Sequence, residues 1–231
     1  KQKQRVLYSA YGKMGSSDQP RQVLILSDYD NGKLMGENTY LAVLSDEEIL
    51  TYDLGMCWPA SIVSHDMEKI IFADVDGDSN NEIVLNTYIS GNKATLAMVL
   101  KVENGAISLL KDLNEDMNKE VFRCEYLEGR KVRIYNDEIG FEAIKDISNY
   151  SDEFFDSDGV GKSTGSRVYC FYAEYCTVSE DDGAKSLQCQ RLLKLGTDGI
   201  MNVRMTYRYD KDKNDFVLCS AEEVDLKDYG K

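Results

Sequence analysis

Four carboxylates stand within nine residues in the stretch Asp74-Val75-Asp76-Gly77-Asp78-Ser79-Asn80-Asn81-Glu82. Asp74, Asp76, Asp78 and Glu82 take positions one, three, five and nine, and Asn80 at position seven can add its backbone carbonyl. Calcium takes six to eight hard oxygens in flexible geometry, and closely spaced carboxylates with a carbonyl supply such a set. Without a cation these charges repel one another. The spacing therefore predicts a loop that is loose when empty and ordered when loaded. The competing reading is an acidic surface turn without an ion. An EF-hand is excluded, because it requires Gly at position six and Glu at position twelve between two helices. Here those positions are Ser79 and Leu85, and the apolar, β-branched flanks at 70–73 and 83–85 predict strands.

Other residues that can do chemistry form weaker patterns. Asp156-Ser157-Asp158-Gly159-Val160-Gly161-Lys162-Ser163-Thr164 ends like a phosphate-binding loop. The first glycine of that motif is replaced by Asp156, an acidic run precedes it where a strand is required, and the following residues are β-like. It reads as a glycine-rich turn, and no nucleotide is expected. Six cysteines occur, at 57, 124, 170, 176, 189 and 219, with no Cys-x-x-Cys and a single histidine, which argues against a structural zinc site. Cys170 and Cys176 lie on one strand, roughly 20 Å apart, and cannot bridge each other. Cys176 and Cys189 can face each other across a hairpin; buried free thiols are the alternative. His65 has no nucleophile near it in sequence and reads as a surface residue. Carboxylates for hydrolysis are on offer beside Tyr52 at Asp53, beside His65 at Asp66, and at Glu222 and Glu223. Such chemistry needs a cleft and shifted pKa values, which a linear sequence does not display.

The loop Asp-x-Asp-Gly-Asp-x-x-x-Glu-Ile-Val resembles that of the FG-GAP repeats of integrin-alpha-like propellers and their bacterial VCBS-type relatives. The resemblance implies a calcium held by Asp74, Asp76, Asp78, the Asn80 carbonyl and Glu82, followed by a buried strand. Gly77 matches the family pattern; Ser79 replaces its usual second glycine, a residue suited to left-handed backbone. The motif covers about a dozen residues. A looser likeness to secreted or lipid-anchored bacterial proteins extends over most of the chain, in its acidic character, Asn-Gly turns and closing tyrosine-rich hairpin. It implies an extracellular or cell-surface location, as a bacterial lipoprotein.

Composition narrows the partners. At 231 residues the chain can bury the core of one domain or at most two. A formal charge of −14 and the lack of basic clusters exclude a nucleic-acid binder. No run of eighteen apolar residues spans a bilayer as a helix. The chain opens on Lys1-Gln2-Lys3-Gln4 without methionine, so a signal or anchor segment is expected to have been removed, and a membrane is expected to be met only through it. Residues 1–20 read as a leader or extension, with 6–11 a candidate strand, and 21–228 as a single β domain.

The elements that must position the loop read as strands throughout. Segments 22–26, 40–44 and 49–52 precede it, with Asp28-Tyr29-Asp30-Asn31-Gly32 as a turn carrying an Asn-Gly signal. Segments 70–73, 82–89, 94–102 and 106–110 form a four-strand unit, in which 97–100 is wholly apolar, as in an inner strand covered on both faces. Charged 111–119 reads as a short helix or loop, 121–126 and 131–135 as a hairpin, and 140–150 as a strand followed by a helical turn. Segments 167–177, 187–195, 201–209 and 216–221 form a second four-strand unit. Between its first two strands, Val178, Glu180, Asp182 and Ser186 fall at the loop positions of the first motif and read as a worn repeat about one hundred residues on. Four antiparallel strands in sequence are the unit of a propeller blade. The expected fold is mostly β, with about three propeller-like units in an open or incomplete arrangement; a β-sandwich or α+β fold is the alternative. The function that follows is a non-catalytic extracellular binding or scaffolding module, stabilised by structural calcium and facing an unknown protein or glycan. The alternative is a secreted hydrolase with glycosidase-like carboxylates.

Overall fold

The computed structural model describes residues 3–15, 19–30, 33–45, 48–55, 70–89, 94–115, 121–149, 168–181, 183–195 and 198–225. They form fifteen strands in four antiparallel sheets, with no α-helix among them. The first sheet is β1 (Lys3–Gly12), β2 (Arg21–Asp30), β3 (Lys33–Leu44) and β4 (Ile49–Gly55). The second is β5 (Ile70–Ala73), β6 (Glu82–Ile89), β7 (Ala94–Glu103) and β8 (Ala106–Asp112). The third is β9 (Arg123–Leu127), β10 (Lys131–Asn136) and β11 (Phe141–Asp146), and the fourth is β12 (Val168–Asp181), β13 (Ala184–Leu195), β14 (Asp198–Asp210) and β15 (Asp215–Val224). Every sheet is a meander of consecutive strands, and none closes into a barrel. The α+β alternative has no helix to rest on among the described residues.

Alternation of side chains explains the layering. In β10, Val132 and Ile134 point inward while Lys131 and Arg133 point out. β7 differs: Ala97, Met98, Val99 and Leu100 are all buried. Neighbouring residues face opposite ways, so both faces of β7 must be covered. Ala97 and Val99 enter one core, shared with Val132 and Ile134 of the third sheet and Leu187, Leu193 and Val203 of the fourth. Met98 and Leu100 enter another, shared with Val23, Ile25, Leu41 and Val43 of the first sheet. The second sheet thus lies between two apolar layers, which is why its inner strands read as unbroken apolar runs.

Four units are present where about three were expected. The stretch 1–20, read as an extension, contributes β1, which is paired with β2 from Lys3↔Tyr29 to Gly12↔Arg21. The turn expected at 28–32 is a two-residue connection closed by the pair Asp30↔Lys33. Lys111 and Asp112 extend β8, where a helix or loop was expected. The worn repeat of the calcium loop dissolves into a hairpin, because β12 runs on to Asp181 and β13 starts at Ala184, pairing Val178↔Leu187, Ser179↔Ser186 and Glu180↔Lys185. Val178 and Glu180 are therefore strand residues on one face and Ser186, opposed to Ser179, lies on the other, so the three cannot converge on an ion. His65, Asp66 and the glycine-rich stretch 156–164 lie outside the described residues.

Candidate metal centre

The acidic loop joins β5 to β6. The strands pair Ile70↔Leu85, Ile71↔Val84, Phe72↔Ile83 and Ala73↔Glu82, so 74–81 is an eight-residue loop closed at the base by a regular ladder. Its side chains fold back on its own backbone. Asp74 accepts hydrogen bonds from the N–H groups of Gly77 (2.8 Å), Asp78 (3.1 Å) and Ser79 (3.0 Å). Asp76 accepts from Asp78 N–H at 3.1 Å, and Asp78 from Asn80 N–H at 2.7 Å. The backbone must reverse tightly for this, and Gly77 and Ser79 both lie in the left-handed region, at φ 73° and 74°. Ser79 thus takes up a left-handed conformation that ordinarily favours glycine.

Asp74, Asp76 and Asp78 each offer a carboxylate oxygen, and these atoms lie within 4.8 Å of one another. Glu82 stands at the base of the loop, opposite Ala73, and is not among these clustered oxygens. It is fully buried; Oε2 accepts the Val75 N–H at 2.9 Å, while Oε1 has no hydrogen-bond partner. Burial pushes its pKa up to about 7, and the charges of Asp76 and Asp78 add to the rise, against the Val75 N–H and Lys101. Asn80, at position seven, belongs to the same ring of backbone turns through its N–H. The donors are all hard oxygens, which suits calcium, and the orphaned Glu82 oxygen is an acceptor without a donor in a polar site.

Lys101 answers part of this charge. Its Nζ lies 2.5 Å from Asp76 Oδ2 and 2.7 Å from Asp78 Oδ2. Burial works against its ammonium, but the hydrogen bonds and charges of Asp76 and Asp78 outweigh it and hold the lysine's pKa well above the ordinary value. Burial likewise raises the Asp78 pKa, and Lys101 with the Asn80 N–H more than reverses it, so the net shift is downward. One ammonium against three clustered aspartates leaves the site anionic.

Two neighbouring segments hold the loop in place. Asn81 Nδ2 donates to the Lys13 carbonyl at 3.1 Å, and Gly15 N–H donates to the Asn81 carbonyl at 3.2 Å. Gly15 has φ 57°, and a Cβ there would stand 2.5 Å from the Val102 carbonyl oxygen, so glycine is required. From the fourth sheet, Lys211 Nζ donates to the Gly77 carbonyl at 3.1 Å. The loop therefore bonds to the segment after β1 and to the β14–β15 turn.

The structure brings Asp74, Asp76 and Asp78 together. Glu82 is not in that cluster; it is buried at the base of the loop, opposite Ala73. Among the described residues, the hydrolytic candidates Asp53, Glu222 and Glu223 are not brought together. Asp53 caps its own turn by accepting Gly55 N–H at 2.8 Å in the first sheet. Glu222 and Glu223 are strand neighbours on opposite faces; Glu222 pairs with Arg204 at 2.9 Å and Glu223 with Lys145. A separate cleft of about 430 Å³ among the second, third and fourth sheets is lined by residues that include Lys111, Arg123, Tyr135, Asp137, Glu138 and Asp215. Lys101 and Lys211 were not singled out from the sequence. The signal for Lys101 is its place inside the apolar run 97–102, since a lysine on a covered strand requires an anionic partner. Lys211 has no such signal, because it meets the loop across 134 residues of chain.

Comparison with protein-family models, with curated proteins and with solved structures finds no match to this chain.

Proposed function

We propose that the protein is a calcium-stabilised, propeller-like binding or scaffolding module that works outside the cell, at a bacterial surface. The observation that carries the reading is the set of three aspartate oxygens within 4.8 Å, in a loop whose base holds the buried, half-satisfied Glu82. Asp74, Asp76, Asp78, the Asn80 carbonyl and Glu82 would hold the ion, which supplies the positive charge that one lysine leaves incomplete. Lys101, on a flexible stem, would turn toward solvent where the ion took its place between Asp76 and Asp78. The ion's role is structural: it fixes a loop to which the segment after β1 and the β14–β15 turn are bonded, and so ties three sheets at one point. Extracellular modules bind calcium in the 0.1–1 mM class, which matches a site that must first evict a lysine. The rims of the sheets and the charged, tyrosine-bearing cleft beside Asp215 offer surface to a protein or glycan partner.

Thermal melting in EDTA and then in millimolar calcium tests the reading. Stabilisation by a bound ligand follows its concentration over its dissociation constant and reaches about 2.7 kcal/mol at a hundredfold excess. A calcium-dependent rise in Tm that Asp76→Ala and Glu82→Ala abolish supports the module. The same melting curve with and without calcium refutes it.

A further inference from the structure

A second constellation, far from the acidic loop in sequence, sets two free cysteines face to face. Cys176 on β12 and Cys189 on β13 are directly opposed in the register and both fully buried. In an antiparallel pair, opposed residues either exchange both backbone hydrogen bonds or exchange none, and the two kinds alternate along the ladder. The hairpin closes on Asp181↔Ala184 across a two-residue connection. That closing pair exchanges its bonds, and so do Ser179↔Ser186 and Thr177↔Gln188, which places Cys176↔Cys189 among the non-bonded pairs. Asn86 of β6 gives the same answer independently. Its Nδ2 donates to the Cys176 carbonyl at 2.9 Å and its Oδ1 accepts the Cys176 N–H at 3.0 Å. Both backbone groups of Cys176 are thus turned away from β13 and onto the second sheet.

Non-bonded pairs bring opposed Cα atoms to about 4.5 Å, inside the roughly 4.4–6.8 Å span of a disulfide. The neighbouring Cys189 thiol is the main cause that raises the Cys176 thiol above its ordinary pKa, with burial next. Bonded pairs, about 1 Å wider, do not bring opposed side chains as close. We propose that Cys176 and Cys189 form a cross-strand disulfide that staples the β12–β13 hairpin when the chain folds in an oxidising compartment. The step is thiol–disulfide exchange with a small-molecule or protein disulfide. One thiolate attacks the oxidant's disulfide and releases one thiol; the second attacks the mixed disulfide and releases the other. The two cysteines lose two electrons and two protons, and one oxidant disulfide becomes two thiols. Both sulfurs are sealed in the core of the finished fold, so the exchange takes place before β12 docks on β6 and β7. Once docked, the bond is shielded from reductant.

The test refolds the full reduced chain from denaturant in a glutathione–glutathione disulfide buffer. The fraction that regains its β spectrum is alkylated, digested and mapped by mass spectrometry. The expected result is a linked peptide joining Cys176 to Cys189, with that pair protected among the six cysteines. The oxidised protein should melt roughly 5–10 °C above its reduced form, a difference missing from the Cys176→Ala/Cys189→Ala double variant. Full alkylation of both cysteines in the refolded chain, a link from either to another cysteine, or equal melting of oxidised and reduced forms would overturn the proposal. A calcium-free buffer throughout keeps the outcome independent of the acidic loop.

Discussion

Two acidic connections of similar composition behave differently. Between β5 and β6, Asp74, Asp76 and Asp78 turn inward over an eight-residue loop and converge. Between β12 and β13, Glu180 and Asp181 are strand residues, and Ala184 follows after two residues. What separates them is the number of residues that the ladder leaves unpaired. An eight-residue loop has free N–H groups, and the aspartates at its first, third and fifth positions collect them, so the carboxylates are fixed by the backbone that carries them. A two-residue turn has none to spare, and a strand sends successive side chains to opposite faces. Acidic composition makes a site only where the backbone curls around it.

The largest effect expected from breaking the contrast is at the base and wall of the loop. Asp76→Ala or Glu82→Ala should abolish the calcium-dependent rise in Tm, a loss of about 2–3 kcal/mol at saturating ion. Glu180→Ala, its counterpart in the hairpin, should change stability by no more than ~0.5 kcal/mol with or without calcium. Lys101→Met should act in opposite directions. In EDTA it leaves buried Asp76 without its cation and should cost about 2 kcal/mol by denaturant titration, less than for a fully buried pair because Asp78 is a third exposed. In calcium titrations it should tighten binding roughly tenfold, equivalent to about 1.4 kcal/mol, because no ammonium has to leave.

Glu82 gives a dependence on pH. In the folded chain its pKa stands at about 7 against an ordinary 4.5, so the fold binds its proton more tightly than the unfolded chain does. Its contribution in EDTA is fully present below pH 4.5 and is lost as pH rises from there through 7. Melting curves of Glu82→Gln in EDTA should lack that decline. The smallest effects compare the left-handed residues of the two turns. Ser79→Gly should raise stability by about 0.5–1 kcal/mol, and Gly183→Ala, at φ 75°, should lower it by about 1 kcal/mol.

Much of the fold was legible because inner strands announce themselves. The run 97–100 was read as covered on both faces, and its residues divide between two cores. The three aspartates were legible because their ligand spacing is local. The extent of the first sheet was not, since β1 is mostly exposed and carries little apolar signal. The apparent repeat at 178–186 misled because composition alone does not reveal where a ladder ends. Lys211 and the Lys13–Gly15 segment were beyond reach, because nothing local marks contacts made by distant strands.

Isothermal titration of calcium into EDTA-stripped protein, beside Asp76→Ala, tests the central claim most directly. The account predicts one saturable site at millimolar affinity or tighter in the native chain and no binding in the variant. No heat of binding at millimolar calcium, with native melting unchanged, would contradict it and leave Lys101 as the loop's own and sufficient cation.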